Sequence, residues 1–394
     1  MPHSTPRLVL AASLGWAGLA STLGAAEPQL GGGGSGPTPG RDQLSDAFYL
    51  RVEHEIERNL AELRALGIET TPPLALADTE FAWPLRSVGL GNFHYHGTSN
   101  FVDQDPDASE LLDYFCTART YDDHRGTDFF TWPFGFLLMD DSRVEVVAAA
   151  AGTIAAKDDG NFDRRCACDT DDPNYVILQH AGYRSWYLHM KNGSVTTKGI
   201  GETVAAGEYL GIVGSSGCST GPHLHFEVDD PSAAPDDLFD PYDGACNALN
   251  PGTLWSSQPT YREPAINRLT TGDALPSFPA CPTQEVPNER RLFEAAETIY
   301  LVVYLRDEDP GLPKNLKTIR PDGSTQYDWE HTTPSVFNSS YWYWFWEVED
   351  VAGRWLFQVT FDGVVYERAY WVGALFADDF EENNVEAWSS AVTP

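Results

Sequence analysis

Basic residues are scarce in this 394-residue chain: Lys and Arg number 25 against 58 Asp and Glu, which gives a formal net charge of −33. A surface this acidic repels phosphate backbones, and this argues against a nucleic-acid-binding protein. Beyond the N-terminus no segment offers the roughly 20 apolar residues that a membrane-spanning helix needs. Hydrophobic residues nevertheless make up 42% of the chain, enough to form globular cores.

The sequence also lacks a His-Glu-x-x-His motif, which excludes a helix-borne zinc site with a glutamate base. Cysteine is limited to six residues: Cys116, Cys166, Cys168, Cys218, Cys246 and Cys281. The one close pair has no second pair at the spacing of a zinc knuckle. In an exported chain these cysteines predict structural disulfides, whose pairing the sequence does not reveal.

The N-terminus has the features of a secretory signal. Arg7 precedes an apolar run from Leu8 to Leu23, and the small residues Gly24 to Ala26 follow. We expect cleavage after Ala26, no membrane span in the mature chain, and a secreted, periplasmic or cell-envelope location in a bacterium.

Composition divides the rest of the chain into segments. Glycine and proline follow the signal and indicate a flexible linker. Next come apolar residues at helical spacing, and then two regions of short alternating segments that are typical of β-structure. The predicted segments are a signal peptide (1–26), a Gly/Pro-rich linker (27–41), an N-terminal helical segment (42–80), a β domain carrying the chemistry (81–250), a second linker (251–290), an Ig-like β-sandwich (291–373) and an acidic tail (374–394).

Histidines recur in a strand-like block near residue 225. In Gly221-Pro-His-Leu-His-Phe-Glu-Val228, alternation places His223, His225 and Glu227 on one face and apolar residues on the other. Glu227 is interpreted as supporting a neighbouring ligand or facing solvent, not as catalytic.

Two further elements offer metal-ligand chemistry. His124 and Asp128 flank a Gly-containing turn, and imidazole and carboxylate are both zinc ligands. In a predicted hairpin, His189 shares a strand face with Ser185 and Tyr187. Each pattern alone is weak evidence.

Together these blocks resemble the lysostaphin and LytM type of zinc endopeptidase, which cleaves peptidoglycan. The resemblance rests on His124-x-x-x-Asp128, Tyr187-Leu-His189, and the specific block Ser219-Thr-Gly-Pro-His-Leu-His-Phe-Glu227, and it covers roughly residues 81–242. It implies a mainly β fold with an antiparallel-sheet, LytM-type (duplicated hybrid motif) peptidase domain. With it we expect the N-terminal helix and the C-terminal β-sandwich.

The resemblance also implies the roles of the site residues. His124, Asp128 and His225 would bind one Zn²⁺ per chain, and His189 and His223 would be the catalytic histidines beside it. One of the two would accept a proton from water and the other would stabilise the oxyanion. Which histidine takes which role is left open.

Several motifs have competing interpretations. His94-Tyr95-His96 lacks the Ser-Thr-Gly-Pro lead-in and is expected in a loop beside the groove. Cys218 suggests a thiol mechanism, but a disulfide is favoured over it. The run Tyr341 to Trp346 either fills a core or presents an aromatic binding face. Insertions at residues 100–120 and 158–173 are expected to wall the groove.

The expected function is a monomeric secreted zinc metalloendopeptidase acting on peptidoglycan stems or bridges. One alternative is a catalytically silent cell-wall-binding protein or hydrolase regulator. Another is a secreted protease that acts on protein substrates.

Overall fold

The computed structural model describes residues 28–38, 40–68, 80–105, 107, 110–230, 238–279 and 284–373. The predicted signal peptide, the acidic tail and Cys281 lie outside the described residues. The elements, in chain order, are Gln29–Ser35 (β1), Asp46–Ala65 (α1), Leu85–Ser87 (β2), His96–Asn100 (β3), Gly126–Thr131 (β4), Gly135–Asp140 (α2), Val144–Val147 (β5), Gly152–Asp158 (β6), Tyr175–Gln179 (β7), Arg184–Leu188 (β8), Thr203–Val204 (β9), Tyr209–Ile212 (β10), His223–Asp229 (β11), Leu238–Phe239 (β12), Ala265–Gly272 (β13), Leu292–Phe293 (β14), Thr298–Glu308 (β15), Lys314–Ile319 (β16), Thr325–His331 (β17), Phe337–Glu347 (β18), Gly353–Phe361 (β19) and Val364–Val372 (β20).

The prediction of a mainly β, antiparallel fold with an N-terminal helix is confirmed. Four sheets are present in the described residues, with strand orders β3-β4-β11-β8-β7-β6-β9 (and β12 beside β11), β10-β5-β2, β1-β18-β15-β13 and β14-β20-β19-β16-β17. One strand pair, β14 with β20, is parallel. No helix in the described ranges is long and apolar enough to cross a membrane.

The eight-stranded sheet has two differently covered faces. One face contributes Tyr187, Leu224 and Phe226 to a core that also contains residues of the three-stranded sheet, such as Val146. On the other face, Trp186 packs with the apolar residues of α1. Because β11 alternates strictly, its four polar residues, His223, His225, Glu227 and Asp229, lie on the same face as α1.

Helix α1 follows the predicted amphipathic pattern. Its buried positions are Phe48, Val52, Ile56, Asn59, Leu60 and Leu63. The Ser45 hydroxyl accepts a hydrogen bond from the backbone N–H of Phe48, which caps the first turn. Gly67 adopts a left-handed conformation, with φ 73°, just after the last turn. The helix is therefore fixed at both ends over the sheet.

The predicted linkers are wrong in part, because both contribute strands to the same four-stranded sheet. Within 27–41, β1 pairs with β18. Within 251–290, β13 pairs with β15 and buries Ile266 and Leu269 in the second core. The glycines of the first segment are predicted to make it flexible. In the structure they allow it to pack closely on aromatic rings.

The aromatic strand β18 uses both of its faces. Trp342 and Trp344 lie in the second core, between the four- and five-stranded sheets. On the opposite face, Tyr341 and Tyr343 pack against a cluster that joins the two β regions and includes Trp132. The chain itself therefore covers most of both faces of β18, the face predicted to fill a core and the face predicted to bind a partner.

Two disulfides are formed by described cysteines. Cys116 is bonded to Cys246, and Cys168 is bonded to Cys218. The first joins the insertion after β3 to the loop after β12, and the second fixes the loop after β6 to the segment before β11. Cys218 is therefore not a free nucleophile.

A buried carboxylate after β12 makes stability depend on pH. Asp240 is fully buried, and its Oδ2 accepts a hydrogen bond of 2.8 Å from Gln104 Nε2. Burial raises the pKa of Asp240 from 3.8 to about 7. Between these two pKa values the folded chain binds more protons than the unfolded chain, so this group makes stability fall as the pH rises.

We expect Asp240→Asn, which cannot ionise, to gain stability relative to wild type as the pH rises from about 4 to about 8. Urea unfolding of both proteins across this range measures the difference in free energy. A difference that does not change with pH would contradict the prediction.

Candidate metal centre

The register between β11 and β4 brings the first two predicted ligands together. His225 pairs directly with Asp128, so both side chains project from the same face. His225 Nδ1 lies 3.0 Å from Asp128 Oδ1. Gly126 leaves room for the imidazole, since a Cβ there would lie 2.6 Å from His225 Nε2. Asn100 Nδ2 donates to Asp128 Oδ2 at 3.0 Å, which leaves Oδ1 for the site.

His124 reaches the same point from the turn before β4. Its Nδ1 lies 2.6 Å from the carbonyl oxygen of Phe101, so a proton on Nδ1 donates there and Nε2 is left as the free nitrogen. His124 Nε2 lies 3.3 Å from His225 Nδ1 and 3.2 Å from Asp128 Oδ1. All three side chains are buried.

The three atoms fit a tetrahedral metal ion. Their separations of 3.0, 3.2 and 3.3 Å are close to the roughly 3.3 Å edge of a tetrahedron with metal–ligand bonds of about 2.0 Å. The donor set of two imidazoles and one carboxylate suits a transition metal. These three residues can therefore hold a metal ion as one face of its coordination shell.

The charges around this trio favour binding of a cation. Burial alone would raise the pKa of Asp128, but the surrounding histidines, His124 first, hold that pKa well below its usual range. Burial would likewise lower the pKa of His225, but Asp128 and Glu227 raise it to about 9. A metal ion therefore competes with a proton at His225, and metal binding should strengthen as the pH rises.

His189 reaches the site by leaving its strand. Strict alternation would place it with Tyr187, whose ring lies in the main core on the opposite face. Instead β8 ends at Leu188, and His189 adopts a left-handed φ of 68°. Its ring centroid lies 4.6 Å from that of His223. Alternation thus predicts the wrong face for His189, because the backbone turns after Leu188 and brings its side chain to the site.

The two histidines outside the trio present free nitrogens to the site. His189 Nδ1 lies 2.7 Å from the carbonyl oxygen of Ser216, and His223 Nδ1 lies 2.8 Å from that of Gly221. Both Nε2 atoms are buried without a hydrogen-bond partner. His223 Nε2 is 3.6 Å from Asp128 Oδ1, so it adjoins the trio. A proton on each Nδ1 leaves each Nε2 able to accept a second proton, and the resulting imidazolium can donate it again.

Glu227 lies beside His225 and is fully buried. The prediction that Glu227 faces solvent is therefore wrong. Its Oε2 lies 3.5 Å from His225 Nε2. Arg125 Nε donates to Oε1 at 2.9 Å, and the Tyr49 hydroxyl of α1 donates to Oε2 at 3.1 Å. The carboxylate is thus neutralised and held in place beside the ligand.

Asp42 is a site residue that the sequence did not reveal. Its Oδ2 accepts hydrogen bonds from Thr220 N at 3.1 Å and Thr220 Oγ1 at 3.0 Å. The same oxygen lies 3.8 Å from His223 Nε2. Asp42 precedes His124 by more than eighty positions, and no motif spacing connects the two.

A cleft of about 870 Å³ opens beside the trio. His124, His225, Asp42 and Asp103 are among its lining residues. The insertion at 100–120 therefore forms part of its wall, as expected. Lining positions of this cleft do not include the described loop 158–173 or the pair His94 and His96, so those two expectations are not met.

A mainly antiparallel β fold that gathers this His-Asp-His trio and two further imidazoles has the framework of a metal-dependent hydrolase. Residues 124–237 match the family model of peptidase family M23. The five predicted site residues, four histidines and one aspartate, all lie within that match, so this part of the chain is similar to M23 peptidases.

Individual relatives match over short segments. The chain is 33% identical over 105 residues to the peptidoglycan DD-endopeptidase ShyC of Vibrio cholerae, covering 26% of this chain and 19% of that protein. It is 44% identical over 52 residues to lysostaphin of Staphylococcus staphylolyticus, covering 13% and 10%. The chain thus spans less than a fifth of the length of either relative. The lysostaphin catalytic domain of Staphylococcus simulans aligns at 24% identity, covering 38% of this chain and 89% of that one, with a TM-score of 0.24.

We expect Glu227→Gln to weaken metal binding by roughly 10- to 100-fold, because the substitution removes the charge that orients His225. Competition with a chromophoric chelator measures the affinity. Glu145→Gln is the matched control, since Glu145 pairs with Arg86 on a different sheet. Equal affinities for the two variants would contradict the role of Glu227.

Proposed function

We propose that this chain is a zinc-dependent metalloendopeptidase that hydrolyses peptide bonds in peptidoglycan cross-links or bridges. The observation that carries the proposal is the trio of His124, Asp128 and His225 with two free imidazole nitrogens beside it. The proposal includes export of a monomeric chain to the cell envelope or beyond, with one zinc per chain.

Zinc is the metal that this donor set favours. Three protein ligands with the remaining position free for water or substrate is the pattern of catalytic zinc sites, whereas structural sites use four protein ligands. When bound, zinc would act as a Lewis acid on water and on the scissile carbonyl. His124, Asp128 and His225 would hold it, with Glu227 and Asn100 fixing their orientation.

We assign proton transfer and oxyanion stabilisation to His189 and His223. Their Nε2 atoms are buried without a hydrogen-bond partner, their ring centroids lie 4.6 Å apart, and their Nδ1 atoms contact backbone carbonyl oxygens. One Nε2 would accept the proton of the attacking water and pass it to the leaving amine. The other, in its imidazolium form, would donate a hydrogen bond from Nε2–H to the developing oxyanion.

The substrate class is proposed from the relatives. Proteins with matching segments include peptidoglycan DD-endopeptidases and lysostaphin. The first of these names states an endopeptidase activity on peptidoglycan, and the free imidazole pair here suits amide hydrolysis.

Incubation with purified peptidoglycan tests the proposal. Zinc-replete wild type should release fragments with new amino termini, detected by mass spectrometry, and His225→Ala should release none because it lacks a ligand. Release that continues unchanged in His225→Ala would contradict the assigned site.

The two free histidines should separate chemistry from metal binding. We expect His189→Ala and His223→Ala each to lower kcat by about 10²- to 10⁴-fold while retaining bound zinc, because they act on protons and not as ligands. His54→Ala, on the exposed surface of α1, is the control. Zinc content close to zero in either variant would instead identify that histidine as a ligand.

A further inference from the structure

His189 reaches the metal centre only through an unfavourable backbone conformation. Its φ of 68° lies in the left-handed region, which residues with a side chain rarely adopt. The imidazole must also present Nε2 to the site, because Nδ1 is the nitrogen that lies 2.7 Å from the carbonyl oxygen of Ser216. Neither feature follows from strand β8 itself, so both have to be held by neighbouring groups.

The backbone of Met190, the residue after His189, is held on both sides by Asn174. Met190 N donates to the carbonyl oxygen of Asn174 at 3.0 Å, and Asn174 Nδ2 donates to the carbonyl oxygen of Met190, also at 3.0 Å. Both residues are fully buried, so water does not compete for these bonds. Asn174 therefore fixes the two peptide groups of Met190, the first of which is joined directly to His189.

Ser216 connects these backbone contacts to the imidazole. Its hydroxyl donates to the carbonyl oxygen of Met190 at 2.9 Å and accepts from the backbone N–H of Asn174, also at 2.9 Å. Its own carbonyl oxygen is the group that lies 2.7 Å from His189 Nδ1. One buried residue thus locates both the backbone after His189 and the acceptor that keeps a proton on Nδ1.

The loop 158–173, which does not line the cleft, supports this arrangement from the other side. Asn161 N donates to Asn174 Oδ1 at 2.8 Å, and Asn174 Nδ2 donates to the carbonyl oxygen of Asn161 at 3.1 Å. This reciprocal pair sets the orientation of the Asn174 amide. The same loop is joined to the segment before β11 by the disulfide between Cys168 and Cys218.

The hydrogen bonds end at a group that folding alone does not favour. The Asn174 amide has partners for its oxygen and for both of its hydrogens, whereas His189 Nε2 is buried without a partner among the described residues. An unpaired buried nitrogen and a left-handed residue both destabilise a fold. Such features persist where the surrounding contacts hold them in place, and they are concentrated at functional sites.

We propose that Asn174 and Ser216 are positioning residues that hold His189 in its left-handed turn and keep its proton on Nδ1, so that Nε2 faces the reacting groups. This inference rests on the proposed function, since positioning needs a reaction to serve. It applies to either role of His189, because proton transfer and oxyanion stabilisation both take place at Nε2. It also gives the loop 158–173 a function behind the site, in place of the predicted wall of the groove.

A double-mutant cycle separates positioning from general stability. Asn174→Ala and Ser216→Ala should each lower kcat by roughly 10- to 100-fold with little change in KM or zinc content, and neither should lower it further in a His189→Ala background. Ser216→Thr keeps the hydroxyl and should recover most of the activity. If circular dichroism shows that Asn174→Ala does not fold, Ser216→Ala, which removes a single oxygen atom, provides the same test.

Asn267→Ala is the matched control for the loss of a buried amide. Asn267 is fully buried, and its Nδ2 also donates to two backbone carbonyl oxygens, both outside the site. We expect this variant to lose stability but to keep the wild-type kcat at a temperature where it remains folded.

The imidazole gives a readout that needs no activity. In metal-free protein labelled with ¹⁵N-histidine, the nitrogen chemical shifts of His189 should report the Nδ1–H tautomer in wild type and a mixture of tautomers in Asn174→Ala and Ser216→Ala. The signals of His189 are those that disappear in His189→Ala.

The positioning role is overturned if both variants show the His189 signals of wild type, or if each lowers kcat by the same factor with and without His189. The proposed function, by contrast, fails if wild type releases no new amino termini from peptidoglycan. In that case the tautomer measurement still decides whether Asn174 and Ser216 position His189.

Discussion

The pairing of β11 with β4 is the constraint on which the rest of the site depends. It sets His225 opposite Asp128, and a slip of β11 by one residue would turn His225 to the opposite face of the sheet from Asp128. That slip is opposed by the core, because Leu224, Phe226 and Val228 fill the space between two sheets. The geometry of the proposed metal ligands is therefore fixed by burial of apolar residues on the opposite face of the strand.

The same strand carries buried carboxylates, and each of them is paired with an arginine. Along one face of β11, Glu227 is paired with Arg125 at 2.9 Å, and Asp229 with Arg184 at 2.8 Å. Helix α1 adds Tyr49 to the first of these pairs. Each carboxylate is thus matched by a guanidinium on a neighbouring element, which limits the cost of desolvation. Because α1 takes part in this network, its position is linked electrostatically to a metal ligand.

The sequence predicted those parts of the site that depend on local periodicity. The face shared by His223 and His225 follows from alternation in one strand, and the turn from His124 to Asp128 is also local. The position of His189 depends on a left-handed residue at the end of β8, which alternation does not express. The position of Asp42 can be predicted only if one knows where a distant segment of the chain crosses the sheet. The role of the glycine run depended on aromatic partners more than three hundred positions away.

Strand β4 carries both a proposed metal ligand and the contact to the second β region. Asp128 lies within it, and Trp132 just beyond its end packs in the cluster with Val302 and Tyr304. Asn267 Nδ2 donates to the carbonyl oxygen of Trp132 at 3.0 Å. The buried pair Arg119 and Asp307, 2.6 Å apart, crosses the same boundary.

Separating the two β regions would expose this cluster and break the buried ion pair of Arg119 with Asp307, which is costly for buried ions. We therefore expect the distance between the β18 edge and the metal centre to vary little.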